Sequence, residues 1–121
     1  MDPAVRQALE NDLTVDITTT GRSSGGSSRI EIWMLHIDGR FFITGTPGPR
    51  DWFANLGRDA RLVVHLKQAV NADVAATARV VVDPGTRRWL FEHDAASWYR
   101  GQVDTAELVA SAPMVELTFV D

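Results

Sequence analysis

The chain has 121 residues, 45% of them hydrophobic, with a formal net charge of −4 and no cysteine. This length corresponds to one domain with a single core. The lack of cysteine excludes disulfides, thiolate metal sites and thiol nucleophiles, and the acidic balance argues against general nucleic-acid binding. No apolar run approaches the ~20 residues of a membrane span, and the N-terminal residues lack a signal-peptide pattern. We therefore expect a cytoplasmic protein with no membrane span.

The first part of the chain predicts a short helix, a strand and a loop. Residues 3–10 place apolar side chains at helical spacing behind Pro3, which suits a first helical turn. Residues 13–20 alternate apolar and polar side chains, which indicates a strand with one face on a core. Glycine and serine then dominate residues 21–28, where the strand gives way to a loop.

A hairpin is predicted next. Residues 30–37 carry apolar side chains on both faces of a predicted strand, which favours a central place in the sheet. The pair Asp38-Gly39 is a strong signal for a two-residue turn, because both residues tolerate positive φ. A third strand is predicted over residues 40–45.

The second half of the chain continues the sheet around short helices. Pro47 and Pro49 end strand pairing, and Asp83-Pro84 has the sequence of a helix start. The remaining predicted elements are a helix over residues 51–56, strands over 61–67 and 72–82, a helical or broken helical segment over 84–100, a short helix over 104–110 and a strand over 114–120. These elements predict a mainly β, single domain over residues 1–121: a six-stranded antiparallel split β-barrel with short peripheral helices.

Two loops that carry glycine and arginine are the candidate ligand-binding segments. Arg22 and Arg29 bracket the first loop, and Arg50 follows the second, at residues 45–49. Glycine lets a backbone approach a ligand closely, while amides and guanidinium groups suit phosphate or carboxylate. The loops therefore predict a site for an anionic cofactor tail, although flexible loops with solvated arginines would have the same composition.

Other chemistry is poorly supported by the sequence. His36, His65 and His93 lack the close pairing of metal-binding histidines, and no Gly-x-Ser-x-Gly elbow occurs. No acid–base pair is recognisable from spacing. We predict no metal ligand and no catalytic side chain.

Five short motifs follow one another between residues 18 and 67: Thr-Gly-Arg-Ser-Ser-Gly at 20–25, Asp-Gly-Arg at 38–40, Gly-Thr-Pro-Gly at 45–48, Arg-Asp-Trp-Phe-Ala-Asn-Leu at 50–56 and Arg-Leu-Val-Val-His at 61–65. In this order they resemble the deazaflavin-dependent nitroreductase family, which belongs to the flavin/deazaflavin oxidoreductases with the FMN-binding split barrel of pyridoxamine phosphate oxidases. The chain departs from the family at Ser23, where a basic residue is common. It also has a single tyrosine, Tyr99, where the nitroreductases carry a tyrosine-rich substrate region.

The resemblance implies an oxidoreductase that binds reduced coenzyme F-420, a deazaflavin, and transfers hydride to a quinone- or nitro-like acceptor. FMN is the alternative cofactor, and a non-catalytic cofactor- or ligand-binding protein on the same fold remains open. Hydride transfer is the cofactor's own chemistry, so the protein supplies position and electrostatics. The implied cofactor-binding residues are Arg22, Ser23, Ser24, Gly25, Arg29, Thr44, Thr46, Gly48, Arg50 and Asn55.

Two tryptophans bear on packing and assembly. Trp52 shares a helical face with Leu56, which favours a core position. Trp33 lies in the doubly apolar second strand and could line a pocket or a subunit interface. Because such a strand suits a partner, we expect a homodimer.

Overall fold

An antiparallel sheet surrounded by short helices forms the body of the protein, and the computed structural model describes residues 1–21 and 25–120. Within these ranges the strands are β1 (Thr14–Thr20), β2 (Ser27–Trp33), β3 (Leu35–Ile37), β4 (Arg40–Thr44), β5 (Arg61–Leu66), β6 (Ala72–Val80) and β7 (Met114–Phe119). The helices are α1 (Pro3–Asn11), α2 (Asp51–Arg58), α3 (Pro84–Glu92), α4 (Ser97–Gln102) and α5 (Thr105–Ser111), with a 3-10 turn at Asp94–Ala96. The predicted mainly β fold with peripheral helices is confirmed. In the described part of the chain, no helix is long and apolar enough to cross a membrane.

The sheet curves until its two edges meet. Its strand order is β2-β1-β5-β6-β7-β4-β3, so the edge strands β2 and β3 are consecutive in the chain, with only Met34 between them. At this break the Met34 amide donates to the Leu13 carbonyl at 2.8 Å. The six predicted strands thus become seven, because the strand predicted over residues 30–37 pairs first with β1 and then with β4. Changing partners bends the strand and interrupts its ladder at Met34.

The turn between β3 and β4 is the predicted two-residue hairpin. Asp38 has φ 52° and Gly39 has φ 77°, the left-handed conformations that this tight turn requires. It lies at the end of the barrel opposite the loop between β1 and β2, because β2 and β3 run away from that loop.

Helices close the two ends of the barrel. Leu9 of α1 packs into the apolar interior at the end where β1 begins, and Trp52 and Leu56 of α2 pack into the same core. Four antiparallel steps separate β1 from β4, so both strands point the same way, and α2 leaves β4 at the opposite end from α1. The predicted core position of Trp52 is confirmed, with 6% of its surface exposed.

A second apolar layer covers the outer face of β3, β4 and β7. Phe42 and Met114 face outward from the sheet and pack with Leu90, Phe91 and Leu108 of the α3–α5 helices. The outer face of β2, β1, β5 and β6 carries mostly polar side chains instead; its apolar residues include Val63, Ala75 and, at its border with α4, Trp33.

Glu116 provides the main charged contact beside this layer. Its carboxylate accepts two hydrogen bonds from Arg40, each at 2.8 Å, and one from Arg79 at 2.6 Å. Arg40, followed by Arg79, holds the pKa of Glu116 below its usual value. These bonds link β4, β7 and β6 on the outside of the sheet.

Arg87 ties the helical layer together through backbone carbonyls. Its buried guanidinium donates to the carbonyl oxygens of Val81 (3.0 Å), Leu108 (3.3 Å), Val109 (2.7 Å) and Ala112 (2.6 Å). Burial lowers the pKa of Arg87. Arg87 therefore joins α3 to the C-terminal end of α5 and to the segment that follows β6.

Replacing Arg87 with Met should lower the free energy of unfolding by roughly 2–4 kcal/mol, because a buried carbonyl left without a donor costs about 1–3 kcal/mol. Urea denaturation of both proteins measures the difference. Arg88→Met is the matched control, since Arg88 is the exposed neighbour on the same helix, and its effect should stay within about 0.5 kcal/mol. Equal losses in the two variants would contradict this role of Arg87.

Candidate functional site

The two predicted ligand-binding loops leave the same end of the barrel. Residues 21–26 connect β1 to β2, and residues 45–50 connect β4 to α2; because β1 and β4 point the same way, both loops lie at that end. Helix α2 lies between them. It begins after Arg50, and its Asn55 Nδ2 donates to Thr19 Oγ1 of β1 at 3.0 Å.

Backbone hydrogen bonds close the first loop. The Gly21 amide donates to the Gly26 carbonyl at 2.5 Å, and the Gly25 amide donates to the Gly21 carbonyl at 3.0 Å. Gly25 has φ 71°, and a Cβ added there would meet no atom within 4 Å, so open space adjoins the loop. Three predicted ligand residues of this loop lie outside the described residues: Arg22, Ser23 and Ser24.

Arg29 offers spare hydrogen-bond donors next to this loop. Its Nε donates to Asp16 Oδ2 at 3.0 Å, and its side chain is 54% exposed. Both terminal amino groups lack a partner among the described residues. Lys67 also contacts Asp16, at 2.7 Å, and lowers the pKa of Asp16 more than Arg29 does. Because Lys67 also contacts Glu31, the two cations and two carboxylates balance in charge, while the terminal amino groups of Arg29 remain available to a ligand.

In the second loop, residues 45–49, the backbone and one side chain accept hydrogen bonds from Arg50. Arg50 Nη2 donates to the carbonyl of Thr46 at 2.9 Å and to its Oγ1 at 3.0 Å, and Nη1 donates to the Pro49 carbonyl at 3.1 Å. Gly48 has φ 133°, and a Cβ there would lie 3.1 Å from Arg50 Nη1. The guanidinium predicted to bind a ligand therefore shapes the loop in this structure.

The other two predicted residues of this region are buried and bonded internally. Thr44 is 3% exposed, and its hydroxyl donates to the Pro113 carbonyl at 2.6 Å. Asn55 is 4% exposed and joins α2 to β1 through Thr19, as described above. Their side chains hold the end of the barrel in shape, whereas the main chain around them remains available.

Two grooves mark opposite ends of the barrel. One of about 290 Å³ lies between the second loop, α2 and the connection from α5 to β7, and includes Gly48 and Arg50. The other, of about 300 Å³, lies between α1, β4 and β7 and includes none of the predicted ligand residues. Only the first groove coincides with a predicted site.

Sequence reasoning missed an acid–base chain on the outer face of the sheet. His65 Nε2 lies 2.7 Å from Thr18 Oγ1, and His65 Nδ1 lies 2.7 Å from Asp73 Oδ1. These residues come from β1, β5 and β6, and pairing places His65 opposite Asp73 and diagonal to Thr18. The alternation of each strand would have placed all three on one face, but their contact depends on strand order and register.

Comparison with solved structures identifies the fold as the split barrel. An F420 reductase matches with a TM-score of 0.67 at 15% identity, covering 96% of this chain and 93% of that one. A protein related to general stress protein 26, of the pyridoxinephosphate oxidase family, from Clostridium acetobutylicum matches with a TM-score of 0.69 at 14% identity, covering 95% and 80%. A NimC/NimA family protein from the same organism gives 0.69 at 7% identity, covering 94% and 77%. No family model and no curated protein matches the sequence. At these identities the likeness establishes the fold.

Replacing Arg50 with Ala should lower the free energy of unfolding by about 1–2 kcal/mol, because the second loop loses the three hydrogen bonds that organise it. Arg58→Ala is the control, since Arg58 ends α2 in an exposed position. Thermal or urea denaturation measures both. A loss in Arg58→Ala as large as that in Arg50→Ala would show that Arg50 has no special role in the loop.

Proposed function

We propose that the protein is an oxidoreductase that binds reduced coenzyme F-420 and passes hydride to a small quinone- or nitro-like acceptor. The observation that carries this proposal is the split barrel, shared over 96% of the chain with an F420 reductase, together with a glycine-lined loop and an arginine with spare hydrogen-bond donors at one end. The shared fold supports the general class, and the cofactor itself is our proposal.

The residues beside the first loop fit an anionic group. Arg29 presents two terminal amino groups that have no partner among the described residues, and the space beside Gly25 is open. Guanidinium binds phosphate through two parallel hydrogen bonds. We propose that Arg29 and Gly25 hold the cofactor's phosphate together with Arg22, Ser23 and Ser24.

The second loop plays a different part in this proposal. Arg50 and Thr46 are bonded to each other, and the side chains of Thr44 and Asn55 are buried. We therefore propose that main-chain groups between Thr44 and Gly48 contact the polar edge of the cofactor ring, while these side chains fix the loop. When bound, the reduced cofactor supplies the hydride, and the chain supplies binding, orientation and exclusion of water.

FMN is the second candidate cofactor, because the fold is also that of a pyridoxinephosphate oxidase family protein and FMN carries a phosphate too. A protein that binds either cofactor without turnover is a third possibility. The homodimer predicted from Trp33 stays a prediction: Trp33 packs edge-on against Trp98 at 5.3 Å, and Trp98 is 50% exposed.

Thermal stability measured during titration with F-420 and, separately, with FMN tests the cofactor assignment. A ligand that binds only the folded protein stabilises it by about 2.7 kcal/mol at roughly 100 times its Kd. We expect F-420 to raise the melting temperature and FMN to have a smaller effect. A shift with FMN alone would reassign the cofactor, and no shift with either would contradict the proposed function.

Arg22→Ala and Arg29→Ala should each raise the Kd of the cofactor about 10–100-fold, because a hydrogen bond to a charged group contributes about 1.5–3 kcal/mol. Isothermal titration calorimetry measures the affinities. Arg6→Ala is the charge-matched control, since Arg6 is exposed on α1 at the other end of the barrel. If all three variants weaken binding equally, the effect is one of net charge and the proposed phosphate site is wrong.

A further inference from the structure

The chain of Thr18, His65 and Asp73 has the connectivity of a proton relay. A carboxylate only accepts hydrogen bonds, so His65 Nδ1 carries the proton shared with Asp73, and Nε2 faces the Thr18 hydroxyl. A hydroxyl can accept one proton while donating another. Thr18 can therefore pass a proton between His65 and a molecule lying against β1.

The three hydrogen-bonded side chains differ in solvent exposure in the way that a proton relay requires. His65 is 9% exposed, whereas the Asp73 side chain is 73% exposed. Thr18 is half-buried on the polar outer face. Cross-strand polar pairs are common devices for stabilising sheets, but one that leads from solvent through a buried imidazole to a surface hydroxyl is also a path for protons.

A nucleophilic role for Thr18 is disfavoured by its place in the sheet. Thr18 pairs with Arg29 on one side and with Val63 on the other. Acyl transfer needs donors aimed at the developing oxyanion. The backbone amides around Thr18 are instead engaged in two ladders, so proton transfer is the chemistry that this arrangement favours.

The relay lies beside the proposed phosphate site. The first loop begins at Gly21, three residues after Thr18 on the same strand, which is about 10 Å at 3.3–3.4 Å per residue. Arg29, whose terminal amino groups have no partner within residues 1–21 and 25–120, is the direct partner of Thr18 in β2. Thr18 therefore lies next to the place proposed for the cofactor's phosphate, and a molecule bound against this face can contact its hydroxyl.

We propose that Thr18, His65 and Asp73 supply the proton that accompanies hydride transfer to the acceptor. This inference rests on the proposed function. Hydride reduction of a quinone-type carbonyl adds two electrons and one hydrogen, and one further proton must reach an oxygen atom. The Thr18 O–H bond breaks as the acceptor O–H bond forms, the Nε2–H bond of protonated His65 breaks as the Thr18 O–H bond is restored, and water returns a proton to His65.

Charged groups on the neighbouring strands surround His65, and among the charged residues that the structure describes only Asp73 contacts its ring. Asp16 lies opposite His65 on β1 and is bonded to Arg29 and Lys67. Lys67 also contacts Glu31, and Arg61, two positions before Val63 on the same face, is bonded to Asp59. These charged groups pair with one another, so Asp73 is the charged group that orients the His65 ring.

The first test uses the three histidines of the chain as probes of where the ligand lies. Oxidised F-420 is added to the protein, and the ring nitrogens are followed by ¹H–¹⁵N NMR. The His65 resonances should shift. His36, which stacks on Phe41 beside the far hairpin, and His93, which precedes the 3-10 turn, should stay in place. Binding without a shift at His65 would overturn the relay.

The second test separates proton transfer from binding. Thr18→Val and His65→Gln should slow acceptor reduction about 100-fold or more, with the Kd of F-420 changed less than about twofold. Thr18→Ser should recover the rate lost in Thr18→Val, and Thr77→Val, at an exposed position on β6, is the control.

The outcomes distinguish this inference from the proposed function. Normal cofactor binding with an unchanged rate in Thr18→Val overturns the relay alone. Failure of the wild-type protein to bind F-420 or FMN contradicts the proposed function and the relay together. If the variants fail to fold, the histidine experiment on the wild-type protein still decides the question.

Discussion

A single run of chain, residues 27–37, occupies both edges of the sheet, and the closure of the sheet into a barrel depends on it. Its first half pairs with β1 and its second half with β4. The requirement to satisfy backbone donors and acceptors on both edges bends the run at Met34 and draws the sheet into a barrel. With the barrel closed, β1 and β4 point the same way, so the loops after them lie at one end and α2 covers the opening between them.

The polar side chains at the end of the barrel that carries the two loops are of two kinds. Arg50, Thr44 and Asn55 have their hydrogen bonds filled by the chain itself, and they give the second loop and α2 a fixed shape. The two terminal amino groups of Arg29 have no partner in the described part of the chain, and the hydrogen-bonded series Thr18–His65–Asp73 reaches from solvent to the outer face. A rigid frame beside uncommitted donors is the arrangement expected where a ligand is held in one orientation.

Local patterns predicted most elements of the fold, whereas contacts that depend on register did not follow from sequence. The Asp38-Gly39 turn, the alternation in β1 and the helix start at Asp83-Pro84 each depend on adjacent residues, and all three appear in the structure. The break at Met34 carries no proline or glycine to reveal it, because it results from a change of partner strand. Forty-seven residues separate Thr18 from His65, so their contact requires β1 to lie beside β5.

The sequence predicted the two loops of the candidate site and their positive charge, because glycine and arginine are recognisable from composition alone. Glycine and arginine marked the two loops, and the structure places both at one end of the barrel. The sequence could not tell which arginine would keep donors available to a ligand, because this depends on neighbours in space. Arg29 loses only its Nε to Asp16, whereas Arg50 is enclosed by the carbonyls of its own loop.

The carbonyl partners of Arg87 also determine how the protein responds to acid. A carboxylate partner would be neutralised at low pH, but peptide carbonyls do not titrate, so the attachment of α3 to α5 keeps its strength as pH falls. Glu116 behaves in the opposite way: its pKa is lowered by Arg40, so the stability that it contributes is present above pH ~4.5 and is lost as protons bind below that value. Acid therefore weakens the links that Glu116 makes to β4 and β6, while the helices that cover this part of the sheet stay joined through Arg87.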